Sequence, residues 1–130
     1  MQSYAVPEST SLSQKVEFFI SCRKLKDLDT FSKSDPVVAV YEQGLNKQWM
    51  LKGKTEMIKN NLNPDFKKGI MMDYSFEKHQ NLKFEVIDDD GAGSSDMIGI
   101  TETTMGTIMG SRAQTFAVDL SHQGKQGKRG

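Results

Sequence analysis

The sequence predicts an all-β domain, an antiparallel sandwich with Greek-key connections, and three observations carry that prediction. Apolar residues recur with a period of two, as in Val16, Phe18, Ile20 and Cys22 or in Leu82, Phe84 and Val86, which marks strands buried on one face. Turn chemistry interrupts these runs at short intervals, as in EQGLNK at 42–47 and NNLNPDF at 60–66. No stretch sustains the i, i+3, i+4 repeat of a long helix.

Composition sets the outer bounds. A chain of 130 residues is one domain, long enough for a real core. Its 17 basic and 17 acidic residues cancel, which argues against general nucleic-acid binding. No apolar run approaches membrane-spanning length. The opening MQSYAVPESTSLSQ has neither a basic start nor an apolar stretch, so no secretory signal is expected. A single cysteine, Cys22, excludes an internal disulfide and leans towards a reducing, intracellular setting.

Taken in order, residues 1–14 hold Pro7 and several Ser and Thr and are expected to be a loose, disordered tail. From Lys15 the alternation predicts a half-buried strand, with Cys22 pointing inward as a small hydrophobe rather than a reactive thiol. Val37 to Tyr41 is nearly continuously apolar and predicts a strand covered on both faces. The next strand is expected from about Gln48 to Lys59. Trp49, Leu51, Thr55 and Met57 fall on one of its faces, and Met50, Lys52, Lys54, Glu56 and Ile58 on the other. Lys52 and Lys54 are thereby set side by side, where two lysines ordinarily make a solvated surface.

Beyond the Asn-Pro turn, Ile70, Met72, Tyr74 and Phe76 alternate inward, and Leu82, Phe84 and Val86 do so again. Another strand begins at Met97. Met105, Ile108 and Met109 predict one helical turn, and Phe116, Val118 and Leu120 close the pattern as a seventh strand. The segment SHQGKQGKRG at 121–130 reads as a basic tail or linker, which leaves the domain at 15–120. In such an up-and-down run the strand ends at Asp29, Asn63 and Asp88 share one pole.

The chemistry concentrates in VIDDDGAGSSDMIG at 86–99. Asp88, Asp89 and Asp90 repel one another, at roughly 3 kcal/mol per pair for ~5 Å and an effective dielectric of about 20. Such a cluster needs a cation or full solvation, and its hard oxygens suit Ca²⁺. An isolated acidic triplet is ordinarily a solvated turn. Here LKDLDTFSKSDPV at 25–37 repeats the pattern, with Asp29 and Asp35 six apart like Asp90 and Asp96. An EF-hand is excluded. With Gly91 at its sixth position, Val86 and Met97 would occupy the first and twelfth, where oxygen ligands are required.

The loops LDTFSKSDP, LNPDF and VIDDDGAGSSDMIG resemble the three calcium-binding loops of a C2 domain. More narrowly, ISCRKLKDLDTFSKSDPVVAVYEQ, TEMIKNNLNPDF and LKFEVIDDD are similar to the first C2 domain of copines, over about Lys15 to Leu120. The resemblance implies an eight-stranded antiparallel Greek-key β-sandwich of the circularly permuted, type II form. Its last strand should follow Leu120. Nothing after Ser121 reads as a strand, so either the sequence stops short of it, the favoured reading, or QSYAV at 2–6 substitutes. Copines usually carry two such domains and a von Willebrand A-like domain, so a fragment or a stand-alone relative is implied.

The same resemblance implies the site. Asp29, Asp35, Asp88, Asp90 and Asp96 become metal ligands, with backbone oxygens of Leu28 and Asp89. Gly93 stands where some members place a serine that helps hold a third ion, so two Ca²⁺ are implied. Apart from the resemblance, Phe31, an aromatic at the tip of the first loop next to Asp29, either folds back onto the barrel or inserts into the membrane interface, and Lys52 and Lys54 are the candidate lipid head-group contacts. The expected function is calcium-dependent binding to anionic phospholipid membranes. A copine-like protein would move from the cytoplasm to the plasma membrane or other membranes as Ca²⁺ rises, with target proteins as further partners. The rival reading is a calcium-independent protein-interaction module using the sheet surface. An enzyme is not expected: the only histidines, His79 and His122, sit in a polar turn and the tail, with no nucleophile motif nearby.

Overall fold

In the computed structural model the described residues are 13–26, 34–89, 95–112 and 115–121. They form β1 (Ser13–Phe18), β2 (Pro36–Gln43), β3 (Trp49–Lys54), β4 (Ile70–Ser75), β5 (Asn81–Asp89), β6 (Ser95–Thr104) and a short helix α1 (Met105–Met109). One antiparallel sheet runs in the order β3-β2-β5-β6, and a second pairs β1 with β4. The step from β2 to β5 skips two strands of sequence and is the Greek-key crossover. Among the described residues no helix is long and apolar enough to cross a membrane.

The residues explain the order. Pro36 to Val40 is buried throughout, as an apolar run must be when its strand lies centrally and is covered on both faces. Beside it, β5 buries Leu82 and Val86 on its inner side. The second sheet closes over them, and the rings of Phe18 and Phe84 meet with centroids 6.1 Å apart. Leu25, Val38, Val40, Phe66, Ile70 and Met72 fill the space between the sheets. Met105, also buried, stoppers the end of this core from α1, whose N-cap Thr104 Oγ1 accepts the Thr107 N–H at 3.1 Å. The alternation expected for Val16, Phe18, Ile20 and Cys22 is observed, and all four pack against the core. Burial pushes the Cys22 thiol up to about 11, with Arg23 pulling the other way.

Four expectations need correction. The first strand begins at Ser13, so Ser13 and Gln14 belong to the sheet rather than to a tail. The third strand stops at Lys54, and it carries a bulge: Val40 pairs with Gly53 but Tyr41 with Leu51, leaving Lys52 as the extra residue. Past that point alternation is lost. Thr55 is buried, exchanging hydrogen bonds with Val38, and Ile58 joins the core instead of the outer face. Phe76 lies beyond the end of β4 and is 55% exposed, edge-on to Tyr74. Finally, Phe116, Val118 and Leu120 form no ladder. Only an isolated bridge joins Ser121 to Ile100, while Leu120 lies over Gly99, where a Cβ would approach it to 2.9 Å. The described residues thus hold six strands of the eight-stranded expectation.

Two measurements check this core. Leu82→Ala should cost roughly 2–5 kcal/mol in urea denaturation, whereas Val118→Ala, on a half-exposed residue outside any ladder, should stay within about 0.5 kcal/mol. Alkylation of Cys22 by iodoacetamide should be slow at neutral pH. Its rate should climb with thiolate until about pH 11, rather than levelling near the value of 8.5 usual for a free thiol.

Candidate metal centre

The inner-face alternation of β5 does not stop at its last apolar residue. Leu82, Phe84 and Val86 continue into Asp88, whose residue exposure is 3%. A carboxylate held there must be hydrogen-bonded or neutralised. The Asp35 N–H donates to Asp88 Oδ1 at 2.9 Å, and the Asp89 N–H donates to the Asp35 carbonyl at 3.1 Å. The start of β2 and the end of β5 are thereby locked together, with Pro36 paired to Asp88.

A second bulge brings in Asp96. Val86 pairs with Gly99 but Ile87 with Met97, so Ile98 is the extra residue and Asp88 faces Asp96. In an unbroken antiparallel register Met97 would have stood opposite Asp88. The bulge replaces an apolar neighbour with a second carboxylate on the partner strand. Like charges directly opposite destabilise a sheet, so this register carries an electrostatic cost in the absence of a cation.

The loop after β3 closes the pole from the other side. Asn60 adopts the left-handed conformation (φ 52), which Asn tolerates, and its N–H donates to Asp35 Oδ1 at 2.7 Å. The Asn61 N–H donates to the Ser34 carbonyl and the Ile58 N–H to the Pro36 carbonyl. Residues 34–36 are consequently held from both sides, by 58–61 and by 88–89. Ser34 is fully buried, and its hydroxyl donates to the Lys26 carbonyl at 3.3 Å, tying together the ends of the first acidic loop. Asn63 Oδ1 accepts the N–H of Lys24, another left-handed residue (φ 56), at 2.8 Å. The Glu56 carboxylate accepts the N–H groups of Lys67 and Lys68, and the Lys67 bond holds it below the ordinary carboxylate range.

Of the expected ligands, Asp35, Asp88, Asp89 and Asp96 therefore meet at one pole of the four-stranded sheet. Leu28, Asp29, Phe31 and Asp90 lie outside the described residues. Among the described residues, no three His, Cys, Asp or Glu side chains are gathered as a metal-holding group. The donors that are described are hard oxygens at strand ends, the chemistry that Ca²⁺ prefers to softer metals. Lys52 and Lys54 are both exposed, but the bulge separates their roles in the sheet: Lys54 pairs across from Ala39, whereas Lys52 has no partner. Sequence reading missed Lys83, whose ammonium lies 5.0 Å from the Tyr41 ring centroid and 4.8 Å from that of Trp49. It also reaches Glu85 at 3.4 Å. A lysine among inward-alternating apolar residues gives no signal that two rings on other strands will enclose it.

Fold and site together define a class: an antiparallel Greek-key sandwich with carboxylates and loop amides interlocked at one pole. The model of the C2 domain family matches residues 15–120, and the chain belongs to that family. C2 domains are, in general, Ca²⁺- and phospholipid-binding modules. The chain is 48% identical over 118 residues to Copine-E of Dictyostelium discoideum, covering 86% of this chain and 20% of that protein. With Copine-A of the same organism the identity is 46% over 108 residues, covering 83% and 18%. It thus spans about a fifth of the length of these relatives. Among solved structures, BON1-C2B superimposes with a TM-score of 0.75 at 23% identity, covering 98% of this chain and 90% of that one.

The Asn60 contact gives a test of the pole. Asn60→Gly keeps both the backbone conformation and the N–H, and should change stability by less than about 0.5 kcal/mol in urea denaturation. Asn60→Val should cost roughly 1–2 kcal/mol, because a β-branched residue resists positive φ.

Proposed function

We propose that the chain is a calcium-dependent membrane-binding module of a copine-like protein, drawn from the cytoplasm to anionic phospholipid surfaces as Ca²⁺ rises. The observation that carries this reading is the buried Asp88 carboxylate, tied to Asp35 and set by a bulge opposite Asp96. An arrangement that concentrates like charge at the end of a core is intelligible when a cation is to be held there.

In this reading Asp29, Asp35, Asp88, Asp90 and Asp96 hold two Ca²⁺ ions, with the backbone oxygens of Leu28 and Asp89. Bound Ca²⁺ supplies positive charge at the pole and open coordination positions for lipid phosphate or carboxylate oxygens. Before binding, the five carboxylates put about −5 at the pole and repel an anionic bilayer; two divalent ions bring this to about −1. The hydrogen bonds from Asp35 and Asn60 hold the start of β2 against the end of β5 and the turn at Asn60. Phe31 enters the interfacial region and adds ~1.5–3 kcal/mol of apolar burial. Lys54, at the end of β3, and Lys52 behind it contact lipid head groups. Because lipid binds the loaded state better, lipid and Ca²⁺ tighten one another by the same factor.

Vesicle sedimentation tests the reading. The chain should sediment with anionic vesicles in Ca²⁺, survive moderate NaCl, and be released by chelator, while Phe31→Ala makes binding more salt-sensitive. Asp35→Asn and Asp90→Asn should each require at least about tenfold more Ca²⁺, each having lost a full ligand charge. Vesicle binding indifferent to chelator and to these variants would overturn the calcium reading.

A further inference from the structure

At the opposite end of the sandwich, a groove of about 770 Å³ runs along β4 between β1 and the bulge of β3. Three lysines reach it from separate elements: Lys15 from β1, Lys52 from the β3 bulge, and Lys78 from the turn after β4. Lys15 pairs with Asp73 at 2.8 Å. Lys52 and Lys78 make no ion pair among the described residues, although both act on the same carboxylate electrostatically. The groove therefore holds more positive charge than its own acids, Asp73 and Glu42, neutralise.

The floor is built rather than incidental. Gln80 is 5% exposed, and its amide donates to the Asp73 carbonyl at 2.8 Å and to Glu42 at 3.1 Å. Its Oε1 accepts the Ser75 N–H at 2.9 Å. A side-chain amide thus occupies the β4 backbone at 73–75 as a neighbouring strand would, and closes that edge to strand addition. What remains open is a wall of ammonium groups beside Met71, which is more than half exposed.

We propose that this groove docks an acidic segment of a partner protein. Partner carboxylates engage Lys78 and compete with Asp73 for Lys15, while an apolar side chain rests on Met71; Lys52, nearer the aspartate pole, stays with the head groups. The choice of protein over lipid rests on the aspartate pole facing the bilayer. Gln80 precedes β5 and Asp88 nearly ends it, a separation of roughly 27 Å at ~3.4 Å per residue. That exceeds twice the screening length of about 10 Å at 0.1 M salt, so the end of the groove at Lys15 and Lys78 lies beyond the field of the pole and away from a bilayer that the pole contacts.

The probe is a fluorescein-labelled decapeptide of alternating Glu and Leu, titrated with the whole chain by anisotropy in chelator and again in Ca²⁺. Binding should be the same in both. Lys15→Ala with Lys78→Ala should weaken it about tenfold, while Lys67→Ala with Lys68→Ala, the same charge change elsewhere, leaves it unchanged. Asp73→Asn should strengthen binding about threefold, a sign that a folding defect would not produce, and Glu77→Gln should not. Equal losses in the two lysine pairs would reduce the effect to net charge and overturn the proposal. So would inositol hexakisphosphate binding at Lys15 and Lys78 where the peptide does not, or loss of vesicle binding in Lys15→Ala with Lys78→Ala. Peptide binding that persists while calcium-dependent sedimentation fails would sink the membrane reading and leave the groove standing.

Discussion

The structure turns on a single alternation. Strand β5 places every second residue on the inner face, and the series Leu82, Phe84, Val86 ends in Asp88. The hydrophobic pattern that fixes the register of the sheet also drives a carboxylate into the end of the core. A one-residue slip would expose Leu82 and Val86 and release Asp88 together, so stability and site are specified by the same constraint. Burial of the two apolar side chains, worth about 1.5–3 kcal/mol each, is what holds the acid in place.

Around that acid the chain is tied by backbone donors rather than by cations. The Asp35 N–H serves Asp88, the Asn60 N–H serves Asp35, and the Asp89 N–H returns to the Asp35 carbonyl. These bonds satisfy carboxylate and carbonyl acceptors and hold the acidic strand ends in place. At the other end the pattern reverses: lysines converge on one carboxylate, Asp73, over a floor set by Gln80. With 17 charges of each sign the net charge is zero, yet these two local clusters stand apart on the molecule. Such separation matters for orientation and encounter more than for fold.

Much of this was legible in the sequence because period-two patterning reports burial directly. The strands carrying Val16 and Leu82 followed from it, while the continuous apolar run at Val37 to Tyr41 marked the central strand and the spacing of Met105, Ile108 and Met109 marked the single turn of helix. The two bulges did not. An extra residue at Lys52 or Ile98 changes pairing without changing composition, so alternation read through it assigns later residues to the wrong face. That is why Ile58 was placed outward, and why the pairing of Asp88 with Asp96 could not be anticipated from their spacing. Phe116 to Leu120 alternates like a strand but makes no ladder, since pairing depends on a neighbour and not on the segment alone. Of the ligand set, acidity at strand ends was readable; the amides that fix Asp35 were not, because backbone donors carry no residue signature.

The central claim is that the folded pole holds a cation that the unfolded chain does not. The most direct measurement is the melting temperature of the unmodified chain as free Ca²⁺ is raised from chelator to millimolar, without lipid and at constant ionic strength. A ligand bound only by the native state stabilises by RT ln(1 + [L]/Kd). The melting temperature should therefore rise and keep rising with log [Ca²⁺] beyond saturation. A melting temperature unchanged across the whole range would contradict the account.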